Sequence, residues 1–357
     1  MKITSFQVRC VAVPMPEPLR IAAVGTIGVS PLVLLSINTD TGVQGHSILF
    51  SYGVAALKPL AELIRNLESV AVGQALAPAD LSSRLHGHFR MLGTEGLVGM
   101  ALAGIDMAVW DAFARAHELP LSTMLGSAPR PIQAYAGIGY DGVLGSGQAA
   151  EKWARKGFKA IKAKIGYPTV AEDLAVVRAL RSAMGPDAAI MVDYNQSLRT
   201  SDAVRRLRVL EGEGLAWIEE PIVAHDYAGL VQLAAATTTP LQSGENWLGA
   251  LDFRHAFDAG VRGLAMPDAM RCGGVTGWQQ IAALGQLYGV ALSNHFWPEL
   301  SAHLLCATPT AHWLEYMDWW NPILKEPLDV RDGMAYTSER PGSGMEFNEE
   351  AIQRYLV

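Results

Sequence analysis

Three acids recur at the ends of apolar, β-type runs: Asp193 in IMVDYN, Glu219 in AWIEEP and Glu245 in QSGENW, each 26 residues after the one before. One strand–helix–strand unit has about that length. A lone acid at a strand end is usually a helix cap or a solvated residue; three in step with a repeating unit converge on one mouth. Three converging carboxylates repel one another unless a cation sits among them. Oxygen ligands of this kind suit Mg²⁺ or Mn²⁺, with coordination positions left for water or substrate oxygens. Glu220 follows Glu219 directly, and adjacent strand residues face opposite ways, so only one of the two is expected to look inward.

Candidate bases flank these acids. Lys162 and Lys164 in IKAKIG stand two residues apart and therefore share one strand face. Two crowded, partly desolvated ammonium groups should lower at least one pKa and free an amine to act as a base. Further on, AMPDAM and LSNHFW put Asp268 and His295 at neighbouring strand ends, where the carboxylate can hold one ring nitrogen and raise the basicity of the other. Glu315, in HWLEYMD, is placed to donate to a developing enediolate oxygen if protonated.

The elements that must carry these residues are legible as eight short apolar runs from residue 132 on, separated by longer segments of helical period. They are Ile132–Gly139, Ala160–Gly166, Ala189–Asn195, Leu215–Pro221, Pro240–Asn246, Gly263–Ala269, Val290–Phe296 and His312–Asp318. Eight βα units predict a modified (β/α)₈ TIM barrel, whose chemistry sits at the carboxyl ends of the strands. No Gly-rich phosphate-binding turn opens a helix, which argues against a dinucleotide fold. In an eight-stranded ring, strands two and seven lie three steps apart, so Lys164 and His295 would face a substrate carbon from nearly opposed sides. Two such bases serve racemisation, one removing a proton and the other returning it to the opposite face.

The first 130 residues read as an α+β domain, with strands at Thr4–Val13 and Leu32–Thr39 and helices around Val54–Leu67 and Glu95–Glu118. The expected division is 1–128 as a capping domain with an active-site lid, 129–320 as the barrel, and 321–357 as a C-terminal segment packed on the cap. A net charge of −7 without a basic cluster argues against nucleic acid and anionic membranes as partners. Three scattered cysteines argue against a disulfide framework. With no export signal between Met1 and Pro18, a cytoplasmic enzyme of a small molecule is expected.

At these residues the chain resembles the enolase superfamily and, within it, the mandelate racemase group. The likeness runs through AVGTIGVSPLVLL, AGIDMAVWDA, KAKIGYP, IMVDYNQSL, WIEEP, GENWLG, LAMPDAM, GGVTGW, SAHLLCATPTAHWLE and the final YLV. The resemblance implies Asp193, Glu219 and Glu245 as ligands of Mg²⁺, Lys164 as the base for one enantiomer, His295 paired with Asp268 as the base for the other, and Glu315 as the electrophilic acid. It implies Lys162 on the substrate carboxylate and Asn195 on the α-hydroxyl. Ile21–Val29 and Phe50–Tyr52 would close over the substrate, with Val24, Val29 and Tyr52 touching it. A homo-oligomer, an octamer, is implied as well.

The resemblance has departures. The group's pattern carries a Ser and a His in place of Gly137 and Ile138, and a Ser in place of Asn294; Trp297, Trp319 and Trp320 add bulk. The reading that follows is Mg²⁺-dependent racemisation of mandelate or a related aryl or alkyl 2-hydroxy acid through an enediolate, since the lid is apolar. The alternative is a lyase, dehydrating an acid sugar with the same metal and bases.

Overall fold

The computed structural model describes residues 1–22 and 25–357 of the chain. It opens with an antiparallel meander of β1 (Ile3–Ile21), β2 (Gly25–Thr39) and β3 (Gln44–Phe50). Pro14, Pro16 and Pro18 have no N–H to give a ladder, and the β1–β2 register slips between Pro14 and Leu19. Below the slip, Ser30–Ile37 of β2 is buried under the helices Val54–Ala71, Pro78–His88 and Gly96–Ala116; above it the ribbon is largely exposed. The helix Gly96–Ala116 is long and apolar enough to cross a membrane, yet most of it is buried inside the protein. It packs so closely on β3 that a Cβ at Gly45 would fall 2.1 Å from the Ala108 carbonyl oxygen.

The barrel strands follow as β4 (Pro131–Ile138), β5 (Ala160–Lys164), β6 (Ala189–Asp193), β7 (Trp217–Glu219), β8 (Leu241–Ser243), β9 (Leu264–Ala265), β10 (Ala291–Leu292) and β11 (Leu314–Tyr316). All eight lie within the predicted runs except for Pro131, which β4 adds at its start, and most are much shorter than those runs, because the chain turns out of the ladder soon after each functional residue. They pair in parallel in chain order, and β11 returns to β4. Between β10 and β11 the ring closes through one bridge, Leu292 to Ala311.

The tail does more than the sequence suggested. A hairpin of β12 (Asp329–Arg331) and β13 (Met334–Tyr336) adds antiparallel to β4, so this part of 321–357 packs on the barrel. The rest of the tail reaches the cap: Ser343 N donates to Asp111 Oδ1 at 2.6 Å, Arg115 donates to the Met345 carbonyl at 2.6 Å, and the Val357 N–H donates to the Cys10 carbonyl at 3.1 Å.

Several contacts hold cap to barrel, and two of them bear on how the ribbon and helices sit. In the first, buried Asp106 of Gly96–Ala116 accepts from Thr276 N at 3.0 Å and Thr276 Oγ1 at 2.6 Å, satisfying free donors at the start of the helix Gly274–Tyr288. Burial pushes the Asp106 carboxyl up to about 7. In the second, the exposed β1–β2 ribbon leans on the loop after β4. Tyr140 N donates to the Arg20 carbonyl at 2.8 Å, and a Cβ at Gly139 would stand 2.9 Å from both the N and the O of Arg20. Ion pairs Arg20–Asp141 and Lys152–Glu17 flank that contact.

Candidate active site

Asp193 ends β6, Glu219 ends β7 and Glu245 lies two residues past β8. All three are buried, and one oxygen from each lies within 4.8 Å of the others. Each carboxylate is held in the same manner, with one oxygen fixed by a neutral donor and the other turned to a base. Asp193 accepts from Asn195 N at 2.7 Å on Oδ1 and faces Lys164 Nζ at 2.8 Å on Oδ2. Glu219 accepts from Trp217 Nε1 at 3.2 Å and Gln242 Nε2 at 3.1 Å on Oε2, while Oε1 faces Lys162 Nζ at 2.5 Å. Glu245 accepts from Asn246 Nδ2 at 3.3 Å on Oε1 and faces His295 Nε2 at 3.4 Å on Oε2. Three hard oxygen donors, pre-oriented and converging in a buried mouth, fit a small divalent cation that keeps positions open for substrate.

The charges around the bases differ from expectation. Burial works against the ammonium of Lys162, but Glu219 and Glu315 outweigh it and hold the group well above its ordinary value. Lys164 is likewise raised, burial being overridden by Asp193 and Glu245. Mutual repulsion of the two lysines was the sequence argument for a lowered pKa; the carboxylates that surround them win. Burial would raise Glu219, and does, to about 8, despite Lys162 beside it. Glu315 moves the other way: burial is overcome by Lys162 and His295, and its carboxyl is lowered. It pairs with Lys162 at 2.8 Å and accepts from Phe296 N at 3.1 Å.

His295 and Asp268 form the expected dyad, Nδ1 to Oδ2 at 2.7 Å, across a bridge between the chain segments that follow β9 and β10. Burial disfavours the imidazolium, but Glu245, the Asp268 hydrogen bond and Glu315 together raise His295 above its ordinary value. Phe296 stacks on the ring with centroids 3.8 Å apart. Lys164 thus stands at the Asp193 side of the carboxylate group and His295 at the Glu245 side.

The remaining predicted residues fall in several places. Asn195 turns back at φ 43°, and its Oδ1 accepts from Lys164 Nζ at 2.6 Å. Lys162 bridges Glu219 and Glu315. Tyr52 reaches the dyad, its hydroxyl donating to Asp268 Oδ2 at 2.8 Å; burial and the Asp268 charge push the phenol well above its ordinary value. Val29 is not brought into this group: it is exposed on the ribbon, paired with Pro14. Val24 lies outside the described residues. Both Glu219 and Glu220 are buried, contrary to strict alternation, because the chain leaves the ladder at Glu220 with φ 36°; its oxygens accept from Asn246 Nδ2.

Asn294 turns out to be a stitch in the barrel wall. Its Oδ1 accepts from Glu315 N and its Nδ2 donates to the Phe296 carbonyl, both at 2.7 Å, joining the segments after β10 and in β11 where the ladder is thinnest. Sequence reasoning missed Trp217, Gln242, Asn246 and Arg271. Trp217 was findable as the same-face neighbour of Glu219, and Gln242 is its register partner across the ladder. Beside the mouth, a cavity of about 50 Å³ is bordered on one side by Leu19, Ile138, Met317 and Trp319 and on another by Glu17, Asp141, Lys152 and Asp318. Phe50, Phe296 and Trp319 continue the apolar side, with Phe296 and Trp319 centroids 5.0 Å apart.

With that geometry in hand, the chain can be set beside known proteins. A family profile for the mandelate racemase / muconate lactonizing enzyme N-terminal domain matches residues 3–126, and one described as enolase C-terminal domain-like matches residues 146–351. L-talarate/galactarate dehydratase of Salmonella typhimurium is 35% identical over 266 residues, covering 73% of this chain and 66% of its own. A crystal structure of an enolase from Bradyrhizobium, complexed with magnesium and mandelic acid, is 42% identical with a TM-score of 0.94, covering 100% of this chain and 98% of that one. L-talarate dehydratase from Polaromonas, complexed with Mg and L-glucarate, is 29% identical with a TM-score of 0.90, covering 100% of this chain and 97% of that one. Curated relatives of lower identity are mostly sugar-acid dehydratases and cycloisomerases. Asp193, Glu219 and Glu245 constitute a Mg²⁺-binding site matching relatives solved with bound magnesium.

Proposed function

We propose that this chain, which belongs to the mandelate racemase / muconate lactonizing enzyme family of the enolase superfamily, uses Lys164 and His295 as opposed proton-transfer groups flanking the α-carbon of a 2-hydroxy carboxylic acid. The enzyme is Mg²⁺-dependent and acts on a carboxylic acid through an enediolate. The observation that carries the two-base reading is the placement of Lys164 and His295 at opposite sides of one carboxylate group, at 2.8 Å from Asp193 and 3.4 Å from Glu245. Bound by the three carboxylates, Mg²⁺ supplies positive charge that stabilises the enediolate and offsets the field keeping Lys164 protonated.

What stands at the β-carbon then sets the outcome. Lys164, as a free amine, takes the α-proton, and the C–H electron pair enters the enediolate. If the β-carbon carries a hydroxyl, the pair returns to form the Cα–Cβ double bond, the C–O bond breaks, and the His295 imidazolium protonates the departing hydroxyl, releasing water. The enol left behind tautomerises to a 2-oxo-3-deoxy acid. The curated relatives favour this dehydration of a sugar acid over the racemisation expected from sequence. Racemisation is the second reading, in which His295 returns its proton to the opposite face of the α-carbon. One observation favours it, the mandelic acid in the Bradyrhizobium relative; the cavity itself offers both an apolar side of Leu19, Ile138 and Trp319 and polar groups in Glu17, Asp141, Lys152 and Asp318.

Incubation with Mg²⁺ in D₂O separates them. A panel of sugar acids should yield a 2-oxo-3-deoxy acid under the first reading. Single enantiomers of mandelate and of alkyl 2-hydroxy acids should gain α-deuterium and lose optical rotation under the second. No exchange and no product in either panel would sink the two-base assignment.

A further inference from the structure

Tyr52 sits in the cap, 216 residues from the dyad in sequence, yet its hydroxyl lies on the dyad's carboxylate. Asp268 divides its capacity unevenly. Its Oδ1 is taken by the backbone N–H groups of Met270 at 2.8 Å and Arg271 at 3.0 Å, which belong to its own loop. Oδ2 is left for two side chains, His295 Nδ1 at 2.7 Å and Tyr52 at 2.8 Å. The same oxygen therefore orients the base and receives a group delivered by the other domain.

Tyr52, which is partly buried, is also seated among several neighbours. Its backbone has φ 58°, a left-handed conformation that a bulky residue adopts only when its surroundings dictate it. The Arg271 guanidinium covers its ring at 4.4 Å from the centroid, and that guanidinium donates to the Glu245 carbonyl at 3.0 Å and to the Asn246 side chain. On another side lie Phe50 and Phe296, the latter itself stacked on His295. A residue whose purpose was to meet substrate would not need its one polar atom committed to Asp268 inside such a seat.

We propose that Tyr52 is a positioning residue that ties the seated cap to the orientation of the His295 imidazole, by sharing Asp268 Oδ2 with it. The inference rests on the reading of His295 as one of two bases. Its consequence is one-sided: Lys164, held by Asp193 and Asn195, receives nothing from Tyr52. The cap thus controls one base and leaves the other alone.

The test is Tyr52→Phe in the Mg²⁺-loaded enzyme, read in two ways. In protein with nitrogen-15-labelled histidine, the Nδ1–H resonance of His295, identified by its loss in His295→Asn, should move downfield once Oδ2 is no longer shared. In D₂O, with (R)- and (S)-mandelate as first probes, α-proton exchange of the enantiomer silenced by His295→Asn should fall about tenfold, the worth of one buried hydrogen bond. Exchange of the other enantiomer should stay within about twofold. Arg271→Lys, which keeps the charge but loses the planar cover, should give a smaller change of the same handedness and serves if the first variant does not fold. An unmoved His295 resonance, or equal loss for both enantiomers, overturns the assignment. If His295→Asn itself shows no handedness, the two-base reading falls, while the resonance still decides whether Tyr52 positions the imidazole.

Discussion

The two halves of the barrel mouth are built differently. From β5 to β8 the ladder is regular, and the chemistry lies along one register level: Lys164 pairs with Asp193, Asp193 with Glu219 and Glu219 with Gln242. At β9 and β10 the strands shrink to two residues, the closure from β10 to β11 is one bridge among the described residues, and side chains do much of the joining. Asp268 holds His295 there, and Asn294 holds the backbone of Glu315 and Phe296. Regular pairing fixes a set of oxygens in space, as a metal ion requires. The irregular half frees backbone and lets single side chains aim a base, at the expense of resting on fewer hydrogen bonds.

If the regular half exists to hold a cation, Asp193→Asn should cost the most: turnover should fall by about 10³-fold or more, with Mg²⁺ binding lost in calorimetry and the thermal unfolding profile little changed. Retained Mg²⁺ affinity would break the comparison at its root. Next comes the support beneath the ligands. Gln242→Leu removes one of two donors on Glu219 Oε2 and should weaken Mg²⁺ binding by about 10- to 100-fold, with the pairing of β7 and β8 intact.

The irregular half should show itself in stability instead. His303, on the helix Pro298–Cys306, accepts from Ser122 N at 3.1 Å, and burial lowers its pKa from 6.5 to about 4. Between those values the unfolded chain takes up the proton and the folded one does not. Stability held above pH 6.5 is therefore lost as pH falls toward 4, by up to about 3 kcal/mol at ~1.4 kcal/mol per unit. Urea unfolding at pH 7 and pH 4.5 should show this slope in the parent and a flatter one in His303→Gln; equal slopes would remove His303 as the cause. The smallest effect belongs to Asn294→Ala, which strands the Glu315 N–H, while the Phe296 carbonyl keeps its bond from Ser301 Oγ, and should cost about 2 kcal/mol in the same assay. A neutral result would mean that the one-bridge closure is enough by itself.

The same contrast explains what the sequence made legible. The metal ligands were readable because a regular ladder turns periodicity in sequence into proximity in space, and 26 residues is one turn of that repeat. The Asp268–His295 pair was readable because it lies on neighbouring strands. Gln242 was invisible because nothing in its local sequence says that it stands level with Glu219. The charge of Lys162 and Lys164 could not be read from their spacing, since it is set by Glu219, Glu315, Asp193 and Glu245, carboxylates contributed by other parts of the chain. Asn294 stood out in the sequence only as a departure from the group's pattern, and its contacts are with the barrel wall. The tail was assigned to the cap because its short, mixed pattern gave no sign that β13 would find a free edge on β4.

The ribbon of β1 and β2 reaches the barrel by touching Gly139 with the backbone of Arg20. A seat made of main-chain atoms depends little on which side chains the ribbon carries beyond the ion-paired Arg20 and Glu17. If ribbon residues meet a substrate, they can be exchanged one for another while the ribbon still finds its place. Gly139 is where that freedom ends, because any side chain there would lift the ribbon away.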